Sequence, residues 1–306
     1  MFYKVSRIVA LAIFAALIII PSAIVVLGST KTDAEVYNKP LALPERWTLD
    51  NFRFLFEVSN VGKSFLNSII VTGFSVTITL ILASMCAFAI SRMITVTGKV
   101  LFSLFAVGLA IPGQVNLVPI FILFNDLQLT NKLSGLILIN VVTTLPISVF
   151  ILTAFFRELP KEMYEVSEVD GATPLRVYRS IALPLSRPAM GATAIFLFVI
   201  TWNELLFPLL LITDVEKRTL PLSLLSFRGE FFSNYSMIFT AVMVASIPMV
   251  AMYLLMQRSF IAGLTAGSSS TSAPPPTGRM ACPRCARYRT WWRPAGAGWA
   301  WPAAGP

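Results

Sequence analysis

Three short clusters in this chain carry residue types that could do chemistry. Gly62-Lys63-Ser64 has the ending of a phosphate-binding loop, G-x-x-x-x-G-K-[ST], in which backbone amides and a lysine cradle phosphates. The position that must hold the first glycine is Glu57, whose carboxylate repels phosphate, and the segment leads into an apolar run instead of joining a strand to a helix. Nucleotide binding is therefore not expected here. Cys282-Pro283-Arg284-Cys285 has the spacing of half a zinc site, but a structural zinc takes four ligands, and the chain has no histidine and only three cysteines. The missing histidines also remove imidazole from acid–base catalysis. The third cysteine, Cys86, sits among small residues of an apolar run and is read as packing. No metal or cofactor is expected on this chain.

The third cluster is Trp202-Asn203-Glu204, with Pro208 four residues after the acid. Glu204 falls inside a long apolar stretch, and a carboxylate in hydrocarbon costs roughly 2.5–3.5 kcal/mol on insertion scales unless it faces protein or water. Two readings stay open. Glu204 faces a solute path, together with Gln114, Asn116, Trp202 and Asn203, or it makes a hydrogen bond or ion pair joining helices. Pro208 removes one backbone donor and can free the carbonyl of residue 204.

The elements that must position these residues are apolar helices. Hydrophobic residues make up 56% of the chain and charged ones 13%, against about a quarter charged in soluble proteins. A membrane span needs about 20 predominantly apolar residues, and six stretches qualify, at about 8–28, 67–91, 100–124, 135–156, 189–213 and 237–260. The first run continues to about Leu27 through Pro21, longer than the ~7–15 apolar residues of a cleavable signal, so it reads as an uncleaved anchor. The net charge of +9 belongs to Lys and Arg near span ends, where they meet headgroups, and does not point to nucleic acid.

Three regions follow: an anchor and polar segment over 1–66, with one or two short amphipathic helices; a core over 67–260; and a tail over 261–306. From Ser268 the tail has no acid and is rich in Ala, Pro, Gly, Arg and Trp, as in GC-rich DNA read out of frame, so it is expected to be disordered or aberrant.

Within the core, one stretch is polar. Pro160 opens a short helix carrying Lys161, Glu162, Glu165 and Glu168, and Asp170-Gly171 ends it, because glycine enters left-handed backbone space without penalty. A second short helix starts with Thr173 as N-cap and Pro174 at its first position, and Leu183-Pro184 ends it. Helix, sharp turn and helix on a rigid base suit docking better than catalysis.

The spacing Glu165, Gly171, then Ile181-x-Leu183-Pro184 resembles the EAA loop of membrane permease subunits of bacterial ATP-binding-cassette importers, with Val166 and Ser167 replacing the two alanines. Leu66-Asn67-Ser68, Ile111-Pro112-Gly113-Gln114, Phe155-Phe156-Arg157-Glu158-Leu159-Pro160 and Trp202-Asn203-Glu204 add to the likeness, which spans roughly 1–267. The chain is similar to the carbohydrate-importer branch and its smaller maltose-permease-type membrane component. The resemblance implies an all-α integral membrane protein with six transmembrane helices and a cytoplasmic coupling loop at about 157–188. It assigns ATPase coupling to Glu165, Ser167, Asp170, Gly171, Ala172, Pro174, Ile181, Leu183 and Pro184. It also implies a second homologous permease subunit, cytoplasmic ATPase subunits that use ATP and Mg, an extracytoplasmic solute-binding protein, and a bacterial inner membrane with both termini in the cytoplasm. The competing reading is an ATP-independent secondary transporter or channel using Glu204. Such folds show inverted repeats, and the two halves of this chain show none.

Overall fold

The computed structural model describes residues 2–57, 60–93, 95–227 and 234–268, and among these there is helix but no strand. Helix α1 (Phe2–Ser29) is followed by two short helices in the polar segment, α2 (Asp33–Asn38) and α3 (Asp50–Glu57). Then come α4 (Val61–Arg92), α5 (Val96–Ala110), a 3-10 turn at Gly113–Asn116, α6 (Leu117–Asp126) and α7 (Leu133–Glu158). The polar stretch folds as α8 (Lys161–Val169), α9 (Pro174–Val177), a π-helical turn (Tyr178–Ala182) and α10 (Leu183–Leu185). The chain continues through α11 (Arg187–Trp202), α12 (Leu206–Leu211), α13 (Leu220–Leu224) and α14 (Tyr235–Ser268).

Four of these helices are long and apolar enough to cross a membrane, and two bent pairs bring the number to as many as six. The first of these bends, and a separate break between α11 and α12, correct the expectation of continuous spans at 100–124 and 189–213. In the first, α5 and the Gly113–Asp126 segment meet at 82°. Ile111 is extended, as a residue before proline must be, and Pro112 has no N–H to continue the ladder. In the second, α11 stops at Trp202. A carboxylate oxygen of Glu204 accepts the N–H groups of Leu206 (2.8 Å) and Phe207 (3.3 Å), which starts α12 as a separate helix. Window-averaged hydropathy is blind to both breaks, because the few polar residues there, Gln114, Asn116, Asn203 and Glu204, are outweighed by long apolar flanks.

Two expected boundaries move as well. Helix α4 begins at Val61, so the division at 66/67 falls inside a helix. Helix α14 runs to Ser268, past the 260/261 division. The chain divides into units Met1–Thr265 and Ala266–Pro306; the tail after Ser268, with Cys282 and Cys285, lies outside the described residues.

The core is built on α4 against α7. Thr72, Ser75, Thr79, Ala83 and Ala87 form one buried face of α4, opposite Asn140, Thr144 and Ser148 of α7. Small residues let the backbones approach closely. Thr79 and Thr144 meet Oγ1 to Oγ1 at 3.2 Å, and Thr144 and Ser148 donate to carbonyls one turn back, so the hydroxyls are satisfied without water.

The start of α4 is tied to a loop distant in sequence. Asn67 Nδ2 donates to the carbonyls of Glu216 (2.9 Å) and Arg218 (3.0 Å), and Ser68 Oγ accepts the N–H of Leu220 (2.7 Å). Lys63, the lysine of the phosphate-loop-like triplet, lies in the first turn of α4 and pairs with Glu216 at 2.8 Å. Lys31 is 1% exposed, and its ammonium donates to the carbonyls of Lys39 and Pro40, fixing the chain that leaves α1.

Candidate functional site

The polar stretch has two faces. On α8, Tyr164 and Ser167 are buried, while Glu162, Glu165, Val166, Val169 and Asp170 point away from the protein, Val169 at 88% exposure. Helix α8 ends in a Schellman turn: Gly171 takes φ +73, and the N–H of Ala172 donates to the carbonyl of Ser167 at 3.0 Å. A side chain added at Gly171 would meet nothing within 4 Å, so glycine is required there by conformation alone. Thr173 is extended at ψ 153 and Pro174 is the first residue of α9, as the spacing predicts, although the threonine hydroxyl makes no capping bond.

The end of the second short helix differs from expectation. Helix continues through Leu183-Pro184 by widening: the N–H of Leu183 donates to Tyr178 O, five residues back, and Pro184 needs no acceptor. The chain turns instead at Ser186, where the Pro174–Leu185 segment meets α11 at 75°. Of the nine residues assigned to coupling, Glu165, Asp170, Gly171, Pro174 and Pro184 are exposed; Ala172, Ile181 and Leu183 are half-buried. Ser167 faces inward, with its hydroxyl donating to Met163 O at 2.6 Å.

The inner side of the loop rests on α4. The Arg92 guanidinium lies 4.3 Å from the centroid of the Tyr164 ring, and Phe88 touches the rings of Phe156, Tyr164 and Tyr178. Burial pushes the Tyr164 hydroxyl above the usual tyrosine range, against the opposing pull of Arg92. An apolar groove of about 510 Å³ opens between the end of α4 and residues 172–178, with Met85, Phe88, Arg92 and Leu175 in its walls.

A second concavity, about 210 Å³, lies where the two broken spans meet α7, lined by Gly113, Gln114, Leu117, Thr143, Thr144, Ile147, Ile200, Glu204, Leu206 and Phe207. It brings Gln114 and Glu204 together across ninety residues of sequence. Asn116, Trp202 and Asn203 do not line it. Trp202 is 2% exposed, stacks on Phe198 at 5.6 Å and donates Nε1–H to Ala245 O at 3.0 Å, so it is core. Asn203 donates to Val199 O. The bonds of Glu204 are local caps, not the interhelical link that was one reading. Thr143 and Thr144 are lining residues the sequence reading missed; adjacent hydroxyls inside an apolar run were the available signal. The threonine hydroxyls are committed to carbonyls one turn back, which leaves an amide, a carboxylate and an aromatic face to suit a polyhydroxylated solute. Among the described residues no group of three His, Cys, Asp or Glu could hold a metal.

Residues 79–261 match the family described as "Binding-protein-dependent transport system inner membrane component". The diacetylchitobiose uptake system permease protein NgcG of Streptomyces coelicolor is 32% identical, over 84% of this chain and 86% of its own. The melibiose/raffinose/stachyose import permease protein MelC of Bacillus subtilis is 32% identical, over 87% and 97%. A chain of a bacterial ABC transporter involved in the import of the acidic polysaccharide alginate superposes with a TM-score of 0.75 at 20% identity, covering 85% of this chain and 96% of that one. At that identity the likeness shows the fold.

Proposed function

The chain belongs to the family of binding-protein-dependent transport system inner membrane components, and on that premise we propose that its 160–184 loop passes the work of separate ATPase subunits to the spanning helices. The chain is a multi-pass permease subunit of an importer and not an enzyme. The uptake named for its relatives, of diacetylchitobiose and of melibiose, raffinose and stachyose, points to a sugar, oligosaccharide or related solute. The partners in this reading are a second homologous permease, cytoplasmic ATPase subunits that hold ATP and Mg, and an extracytoplasmic solute-binding protein. The loop and both termini face the cytoplasm, and the cavity at Gln114, Thr144 and Glu204 lies on the solute's route.

One observation carries the coupling role: the outward face of α8 and its turn sets the carboxylates of Glu165 and Asp170 beside exposed Val166 and Val169, while the opposite face is anchored on α4. Exposed apolar side chains framed by charge mark a docking surface. An ATPase cleft with a basic residue for Glu165 fits it. Closure of the ATPases then tilts the anchored helices between inward- and outward-facing states, driven by the difference in contact energy between the two.

The test is recovery of partners on a tagged chain from its native membrane. The native chain brings down an ATPase and a second permease. Glu165→Lys keeps the permease and loses the ATPase, and Gly171→Asp, which sets a further charge at the turn on the docking face, leaves the protein inserted but abolishes uptake of melibiose or diacetylchitobiose, whichever the native importer carries. Normal uptake by both variants would overturn the reading.

A further inference from the structure

The loop touches the spanning helices in two ways. By chain connection it leaves α7 through Leu159-Pro160 and runs into α11, where the 75° bend at Ser186 intervenes. Ser186 N–H donates to Ala182 O and Met190 N–H to Ser186 O, but Pro184 and Pro188 supply no donors on either side of that bend, which thins the helical ladder there. A bend of this size delivers little of an axial displacement into the next helix.

By packing, the loop meets α4. Phe88 of α4 is ringed by Phe156 at 6.0 Å, Tyr164 at 6.3 Å and Tyr178 at 5.4 Å, so one side chain collects the end of α7 and both halves of the loop. One turn back, Ser84 Oγ lies 2.7 Å from Tyr178 Oη, with Ser84 1% and Tyr178 9% exposed. The Ser84 hydroxyl also donates to Ile81 O at 3.0 Å. With that proton committed, Tyr178 is the donor in the pair. Tyr178 opens the π-helical turn, a distortion frequently found at functional positions.

We propose that Tyr178 is a positioning residue which keys the loop to α4 through Phe88 and Ser84, so that displacement of the loop drives α4 against α11 instead of passing along the chain. This rests on the coupling role given to the loop above. The protein supplies a matched control. The Tyr164 ring also packs on Phe88, but its hydroxyl is buried without a hydrogen-bond partner. Removing the same atom from the two tyrosines therefore has opposite consequences: Tyr178→Phe strands the Ser84 acceptor, whereas Tyr164→Phe removes an unsatisfied group.

The experiment uses the importer purified through this chain with its accompanying subunits, with Cys86, Cys282 and Cys285 replaced by serine. Spin labels replace exposed Phe74 on α4 and exposed Phe196 on α11. Their separation is compared nucleotide-free and after trapping with ADP and vanadate. The parent protein changes distance on trapping. Tyr178→Phe and Ser84→Ala trap nucleotide and assemble as before, but the ratio of shifted to unshifted molecules falls about two- to tenfold, the range of one buried hydrogen bond. Tyr164→Phe shifts like the parent. The proposal is overturned if Tyr178→Phe shifts fully, if Tyr164→Phe loses as much, or if the parent shows no α4–α11 change. Failure of the loop's coupling role reads differently: Glu165→Lys would then retain the ATPase and shift normally.

Discussion

At the scale of single residues, Glu204 shows how a half-buried acid can serve as structure. Its carboxylate is engaged by the N–H groups of Leu206 and Phe207, so it acts as the cap of α12 at the rim of a cavity. A cap needs an acceptor oxygen, not a charge. Glu204→Gln keeps that oxygen and is expected to retain uptake, while Glu204→Ala loses about 0.5–2 kcal/mol of helix start and lowers uptake. A charge-dependent role would be disabled by the glutamine, so solute uptake in cells carrying each variant separates capping from charge. The acid itself was legible in the sequence as an anomaly in an apolar run. Its role was not, because hydropathy placed residue 204 within a continuous span and capping exists only where a helix ends.

At the scale of elements, the loop's geometry hangs on Gly171. Open space surrounds its missing side chain, yet φ is +73. Left-handed backbone costs an ordinary residue about 1–2 kcal/mol, and Asn less. Gly171→Asn is therefore expected to retain more uptake than Gly171→Ala, although Asn is the larger side chain; the reverse ranking in an uptake assay would show that volume matters at this turn and backbone conformation does not. Gly171, the extended Thr173 and Pro174 were all readable from residue type, since each reflects local backbone preference. The end of the second short helix was not. Leu183-Pro184 reads as a stop, but the N–H of Leu183 reaches Tyr178 O and the helix passes through, with Tyr178 held in place by Ser84 and Phe88 of α4.

At the scale of the whole molecule, the prediction concerns sidedness. The polar segment carrying α2 and the loop before α5 lie on opposite sides if α1 and α4 both span. Tyr37, in the first, and Val96, the residue of α5 that follows the second, are each 75% exposed. In a protein without its native cysteines, Val96→Cys is expected to react with a membrane-impermeant maleimide only in inside-out vesicles, and Tyr37→Cys only in right-side-out ones. Labelling of both from one side would break the proposed topology. The sequence by itself determined that this is an all-helical membrane protein with about six apolar segments and one polar helix–turn–helix, because composition, run length and glycine and proline preferences act locally. Only the tertiary structure decided that two of those segments are broken, that Gln114 and Glu204 share a cavity while Trp202 belongs to the core, and that the loop leans on α4. Each of these depends on which distant side chain stands ready to accept a bond or fill a face, and no local preference encodes that.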